Sequence, residues 1–184
     1  MTPRRSPMSA LVGAVERPHE HVRIDGTDIA ILEALAEDSR ISVRRLAARV
    51  DMSAPAVAER VARLERSGVI HGYTVRLDWD RLGHEVVVYM PVTLDSGKDL
   101  EPTLRAFREI PELEELTVIA GSYDLLARFR LRDQAQLRQL LLDRVWQIPH
   151  VLRIETLLSL GDLVSGTRTS GLLRSLGGDA AGGS

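Results

Sequence analysis

The sequence predicts an α+β chain in two parts: three short helices, then a stretch in which strands and helices alternate as β-α-β-β-α-β. Three observations predict it. Apolar residues recur at helical spacing through residues 25–67. After Gly68 the dominant spacing falls to two. Thereafter strand-like and helix-like runs alternate, with Pro111 and Pro149 closing the helical ones.

In the first helix Ile29, Leu32, Leu35 and Ala36 are expected on one apolar face, with Asp25 or Thr27 as the cap. Ser42 caps the second, where Val43, Leu46, Ala47 and Val50 follow i, i+3, i+4, i+7. The turn Asp51-Met52 leads to Ser53, which caps the third helix. Pro55 stands in its first turn, where a missing N–H costs little. Val57, Val61 and Leu64 form its buried stripe, and Gly68 ends it. Three helices with a tight turn before the third make a helix-turn-helix, and the extended run Val69–Val75 suggests the winged type.

In the second part Val86, Val88, Met90, Val92 and Leu94 are spaced by two and give one apolar strand face. Leu100, Leu104, Phe107 and Ile110 are helical. Residues 114–120 and 124–131 read as strands joined by Gly121-Ser122-Tyr123. Leu137, Leu140, Leu141 and Val145 form another helix, and residues 151–160 the last strand. That order is ferredoxin-like. Pro91 fits poorly, since proline cannot donate to a ladder and the first strand of this arrangement is central; a bulge or a locally unpaired edge is expected there. The boundaries that follow are a flexible arm (1–22), a helix-turn-helix domain (23–76), a linker (77–83), a ferredoxin-like domain (84–164) and a flexible Gly/Ser-rich tail (165–184).

Composition narrows the function. The chain has 184 residues, 44% of them hydrophobic, enough to bury a core. It has no cysteine, which excludes a disulfide scaffold and cysteine-ligated zinc. No apolar run approaches the ~18 residues of a membrane span, and Arg4 and Arg5 are not followed by an apolar leader core, so a cytoplasmic protein without a membrane partner is expected. The net charge of −2 is uneven: residues 44–66 hold six arginines against three acids, whereas residues 78–165 carry ten basic against fifteen acidic groups. Charge alone therefore leaves DNA binding open, and position decides it.

The third helix of a helix-turn-helix can enter the major groove, which makes double-stranded DNA the expected partner. Ser53, Ala54, Pro55, Ala56 and Glu59, at or near its start, are placed to meet base edges. Arg60 and Arg63 share a face, with Arg60 serving a guanine edge or a phosphate. Arg44 and Arg45 are better placed for phosphates. The alternative for Arg60 is a pair with Glu37, Asp38 or Glu65 that only solvates a face. With so few polar groups facing bases, part of any sequence preference should come from DNA bending and from pairing two half-sites.

These motifs resemble the Lrp/AsnC, or feast/famine, family of bacterial and archaeal regulators over about residues 24–161. Its opening run is matched by Asp25, Asp28, Ile31, Leu32, Leu35, Asp38 and Arg40. Its reader segment is matched by Ser53, Val57, Arg60, Val61, Leu64, Glu65, Gly68, Val69, Ile70, Gly72 and Tyr73. Its G-x-Y-D hallmark is similar to Gly121, Ser122, Tyr123 and Asp124. Met52 replaces the usual Leu, and both tails are longer. The resemblance implies a DNA-binding transcriptional regulator that senses an amino acid or related metabolite and self-associates to dimers or octamers. It also implies an effector at the Gly121–Asp124 loop, at an interface between dimers, with Thr156, Val118 and Ala120 as further lining candidates. Chemically, a glycine admits close backbone approach and a neighbouring carboxylate can hold an ammonium group. The plainer reading is a turn in which Asp124 caps its own backbone.

No nucleophile–base pair, phosphate loop, cofactor motif or metal set emerges. His19-Glu20-His21 lies in the arm, Glu112, Glu114 and Glu115 read as a solvated edge, and Trp79 and Trp146 read as packing residues. Two alternatives remain. One is a siroheme-decarboxylase-like enzyme, which would carry a W-P-Y-N-type segment where this chain has Gly121–Asp124 and would need histidines in a stretch that has none between His84 and His150. The other is a metabolite-binding module that does not bind DNA.

Overall fold

The computed structural model describes residues 20–95 and 97–163 together with positions 169, 172, 173, 175 and 176. Most of the expected N-terminal arm, including His19, and most of the tail lie outside the described residues. The chain divides into two compact units: residues 19–76 with the C-terminal segment, and residues 77–163.

The first unit, the head, holds α1 (Gly26–Glu37), α2 (Val43–Arg49) and α3 (Ala54–Arg66). Asp25 caps α1 in a reciprocal box: its carboxylate accepts from the Asp28 N–H at 2.8 Å, and its own N–H donates to Asp28 Oδ2 at 3.0 Å. Ser42 and Ser53 cap α2 and α3 through bonds to the Arg45 and Ala56 N–H groups. Gly68, at φ +73°, lets the Val69 and Ile70 N–H groups turn back onto Leu64 O. Ile31, Ala34, Leu46, Ala47, Val57 and Leu64 make the core.

The face expected for α1 is corrected. Asp28, Ile29, Ile31 and Ala34 are buried, while Leu32 and Leu35 are half-buried and Ala36 is exposed. Apolar side chains surround most of this helix, so spacing alone could not rank its sides. Val43 is likewise exposed. Residues 71–78 are not part of any strand, so the wing inferred from Val69–Val75 has no ladder within the described residues.

The second unit contains β1 (Val86–Leu94), α4 (Glu101–Arg108), β2 (Leu113–Val118), β3 (Leu125–Leu131), α5 (Gln134–Asp143), a 3₁₀ turn (Val145–Gln147), β4 (Val151–Ile154) and β5 (Leu157–Leu158). The strand order is β2-β3-β1-β4, antiparallel throughout, with β5 also on β1. This is the ferredoxin-like order expected. Val88, Met90, Val92 and Leu94 pack with Leu125, Ala127, Phe129 and Leu131 beneath Phe107 and Leu140.

Pro91 keeps unbroken register with Leu126 of β3. On its other side the last strand is interrupted between β4 and β5, and there Pro91 O accepts from the Glu155 N–H at 3.1 Å. A residue's N–H and C=O point to the same side of a strand, so the missing donor falls at that interruption. The bulge lies further on, between Thr93 and Leu94.

One further expectation is corrected. Trp146 is 68% exposed and does not pack. Within the tail expected to be flexible, Thr169, Leu172, Leu173, Ser175 and Leu176 are helical and Leu173 is only 9% exposed.

Candidate functional site

In the head, the arginines divide by partner. Arg60 Nη1 lies 2.7 Å from Asp25 Oδ2 and 2.9 Å from Asp28 Oδ1, and Arg63 Nη2 lies 2.6 Å from Asp28 Oδ2. Asp28 is 1% exposed. Burial pushes its carboxyl up, but the hydrogen bonds from the Asp25 N–H and from Arg63 and Arg60 outweigh that and hold it below the usual range. Asp25 is lowered chiefly by its bond to Arg60, whose own pKa is raised chiefly by the same bond.

Arg60 and Arg63 thus share a face as expected, but that face is turned onto α1 and not outward. The partners named as the alternative for Arg60, Glu37, Asp38 and Glu65, are corrected to Asp25 and Asp28. The cause is positional: Arg60 follows Val57 by three and precedes Leu64 by four, so it lies on the buried stripe.

Arg66 is held by Glu59 at 2.8 Å and Arg49 by Glu37 at 2.6 Å. Arg44 and Arg45 are exposed at the start of α2, and no ion pair engages them among the described residues. At the start of α3, Ser53 and Pro55 are exposed, Ala54 and Ala56 half-buried, and Glu59 exposed. The Ser53 hydroxyl caps Ala56, and the Tyr73 hydroxyl donates to Glu65 at 2.9 Å, tying the following segment back to α3.

In the second unit, the loop Gly121–Asp124 joins β2 to β3. Gly121 adopts φ +149°, a conformation side-chain-bearing residues rarely take. Asp124 Oδ2 accepts from the Leu94 N–H at 2.8 Å, its N–H donates to Val92 O at 2.9 Å, and its carbonyl accepts from the Ile119 N–H at 3.0 Å. It therefore staples the loop to the end of β1, where the plainer reading had it capping its own backbone.

Across that end lies β4. The Arg153 guanidinium stands 5.9 Å from the Tyr123 ring centroid and is paired with Glu155. A hydrogen bond with Glu155 raises the Tyr123 pKa, opposed by Arg153. Gly121, Ser122 and Thr156 are exposed. The structure thus gathers Tyr123 and Asp124 around the end of β1 with Arg153 and Glu155, which the sequence analysis did not name. Their signal was position alone: they sit beside Thr156 where the last strand breaks. Glu114 pairs with Arg130 at 2.6 Å and lies 3.3 Å from Arg128 Nε, so it is not a bare solvated acid. That second contact is out of hydrogen-bond line and leaves the buried Arg128 Nε without an acceptor.

A helix-turn-helix head joined to a ferredoxin-like domain with a loop-centred polar cluster defines a two-domain DNA-binding regulator. Residues 24–71 match the winged helix-turn-helix DNA-binding model, and residues 87–169 match the Lrp/AsnC ligand binding domain. The proline dehydrogenase transcriptional activator of Rhodobacter capsulatus is 41% identical over 130 residues, 70% of this chain and 84% of that protein. The leucine-responsive regulatory protein of Escherichia coli is 34% identical over 143 residues, 77% of this chain and 86% of that one. Among solved structures, Escherichia coli AsnC is similar with a TM-score of 0.75 at 26% identity, covering 79% of this chain and 98% of its own. A Neisseria meningitidis regulator solved as its L-Met complex gives 0.75 at 24% identity, covering 79% and 95%, a likeness of fold. The chain belongs to the Lrp/AsnC family of DNA-binding transcriptional regulators. These relatives are regulators and not siroheme decarboxylases.

Proposed function

We propose that this regulator contacts DNA through the start of α3 and through Arg44 and Arg45 of α2, and that it responds to an amino acid held at the Gly121–Asp124 loop. The observation that carries the DNA face is the division of the arginines. Asp25, Asp28, Glu37 and Glu59 engage Arg49, Arg60, Arg63 and Arg66, leaving the charge of Arg44 and Arg45 for phosphates. Ser53, Pro55 and Glu59 supply the base-facing surface, with Ala54 and Ala56 permitting close approach.

For the effector, Asp124 and Glu155 offer carboxylate to an ammonium group, and Arg153 offers a fork to the carboxylate. Ser122 and Thr156 supply hydroxyl groups. The cluster is open to solvent, which favours its completion by a second copy in a dimer or octamer. Exposed Leu142, Trp146, Leu152, Leu157 and Leu158 on the same unit support self-association. Similarity to proline dehydrogenase activators makes proline the first amino acid to test and the control of amino-acid breakdown the first role. A cytoplasmic regulator without catalysis is the consistent reading.

Calorimetry of the purified chain against proline, leucine, methionine and asparagine, repeated with Asp124→Asn, tests the effector site. A hit weakened at least ~10-fold by Asp124→Asn supports it, and a hit that persists unchanged removes Asp124 from the site. The reading as a metabolite module without DNA binding would be favoured by a hit together with equal, weak affinity for every duplex tried.

A further inference from the structure

Helix α1 carries more apolar surface than its three-helix core uses. Ile31 and Ala34 are buried in that core, whereas Leu32 and Leu35, packed at its edge, are half-buried and line a groove of about 700 Å³ together with Ile70, Tyr73 and Val75. Two more residues line the same groove: Thr169 and Leu173 from the C-terminal segment. Thr169, Leu172, Leu173, Ser175 and Leu176 are helical, and of the three leucines only Leu173 is buried, Leu172 and Leu176 staying exposed. Leu173 is 9% exposed, a depth a solvated tail does not give it. The chain therefore leaves the head at Arg76, forms the whole second unit to Leu163, and returns to the head.

We propose that the C-terminal segment is a clasp whose Leu173, with Thr169 beside it, docks in the α1 groove of its own head. It gives the head a second covalent connection to the ligand-binding domain. The first connection is the linker after Arg76; the second begins just beyond β5, a few residues after Glu155 and Thr156. None of the groove residues belongs to the candidate DNA face, so the clasp restrains the head without covering Arg44, Arg45 or Ser53. A shift of the last strand on effector binding then reaches the head through the clasp as well as the linker. This consequence rests on the effector reading above; the docking itself does not.

The chain lacks cysteine, so engineered pairs report cleanly. In the full-length protein, Ala36→Cys with Thr169→Cys should form a link within one chain under oxidation or with a short bismaleimide. Adding Leu173→Asp should cut the yield at least ~10-fold, whereas adding Leu163→Asp, at a fully exposed position, should not. Hydrogen exchange over residues 69–76 should quicken in the Leu173→Asp protein alone. No link, or a link formed only between two chains, overturns docking in cis. For the coupling, removal of residues 169–184 should leave amino-acid affinity within ~2-fold by calorimetry and bring the amino acid's effect on DNA affinity to about 1-fold. A truncated protein whose response is unchanged, alongside an intact cross-link in the parent, overturns the coupling while leaving the docking in place.

Discussion

Replacing Asp28 by alanine should weaken the head more than any other single charge removal. The carboxylate is 1% exposed and takes donors from Arg60 at 2.9 Å, Arg63 at 2.6 Å and the Asp25 N–H at 3.0 Å. Breaking a fully buried pair costs about 3–5 kcal/mol because a charge is stranded. Here the Arg60 and Arg63 side chains are 28% and 40% exposed and can turn toward water, which lowers the cost. Half of the capping box is also lost, although Asp25 remains as the cap. The expected loss is about 2–3 kcal/mol, or about 8–24 °C in the melting temperature of a unit of this size. Calorimetry of the full chain, with hydrogen exchange over α1 and α3, measures it. Glu37→Ala breaks an exposed pair with Arg49 and should cost less than about 0.5 kcal/mol. A shift under about 2 °C for Asp28→Ala, or equal shifts for the two variants, would refute the reasoning.

Three other outcomes follow. Asp25 and Asp28 both have folded pKa values below their unfolded ones, so their stabilisation is fully present above the ordinary carboxylate pKa of about 4. It is lost only as pH falls below that, and an acid titration of head unfolding should be flatter in Asp28→Ala. Arg44→Ala and Arg45→Ala should each reduce the slope of log DNA affinity against log salt by about 1, whereas Arg60→Ala should lower head stability and leave that slope alone, as salt-series anisotropy will read. Asp124→Ala strands the Leu94 N–H and should cost about 1–3 kcal/mol in the second unit, while Asp124→Asn keeps an acceptor there and should melt near the parent.

The caps, the core of α3 and the strand alternation were readable because each depends on neighbours in sequence. Ser42 and Ser53 cap the helices they precede, and Val88, Met90 and Val92 bury the face their spacing implies. What could not be read depends on distant partners. Asp25 and Asp28 lie more than thirty residues from Arg60. The sequence placed Arg60 between Val57 and Leu64 on the buried stripe, a warning that an arginine there needs an internal anion. The Asp124–Leu94 staple spans thirty residues and joins two strands whose register only the sheet defines. The C-terminal leucines were obscured by surrounding glycine and serine, although their helical spacing was present.

Binding of the full-length chain to the duplex upstream of its own gene, against a shuffled duplex of equal length, with and without proline, leucine, methionine or asparagine, tests the central claim most directly. The account predicts preference for the upstream duplex, affinity that falls steeply with salt, and a change in that affinity with at least one amino acid. Equal affinity for both duplexes at every salt concentration, unmoved by any of the four, would contradict it.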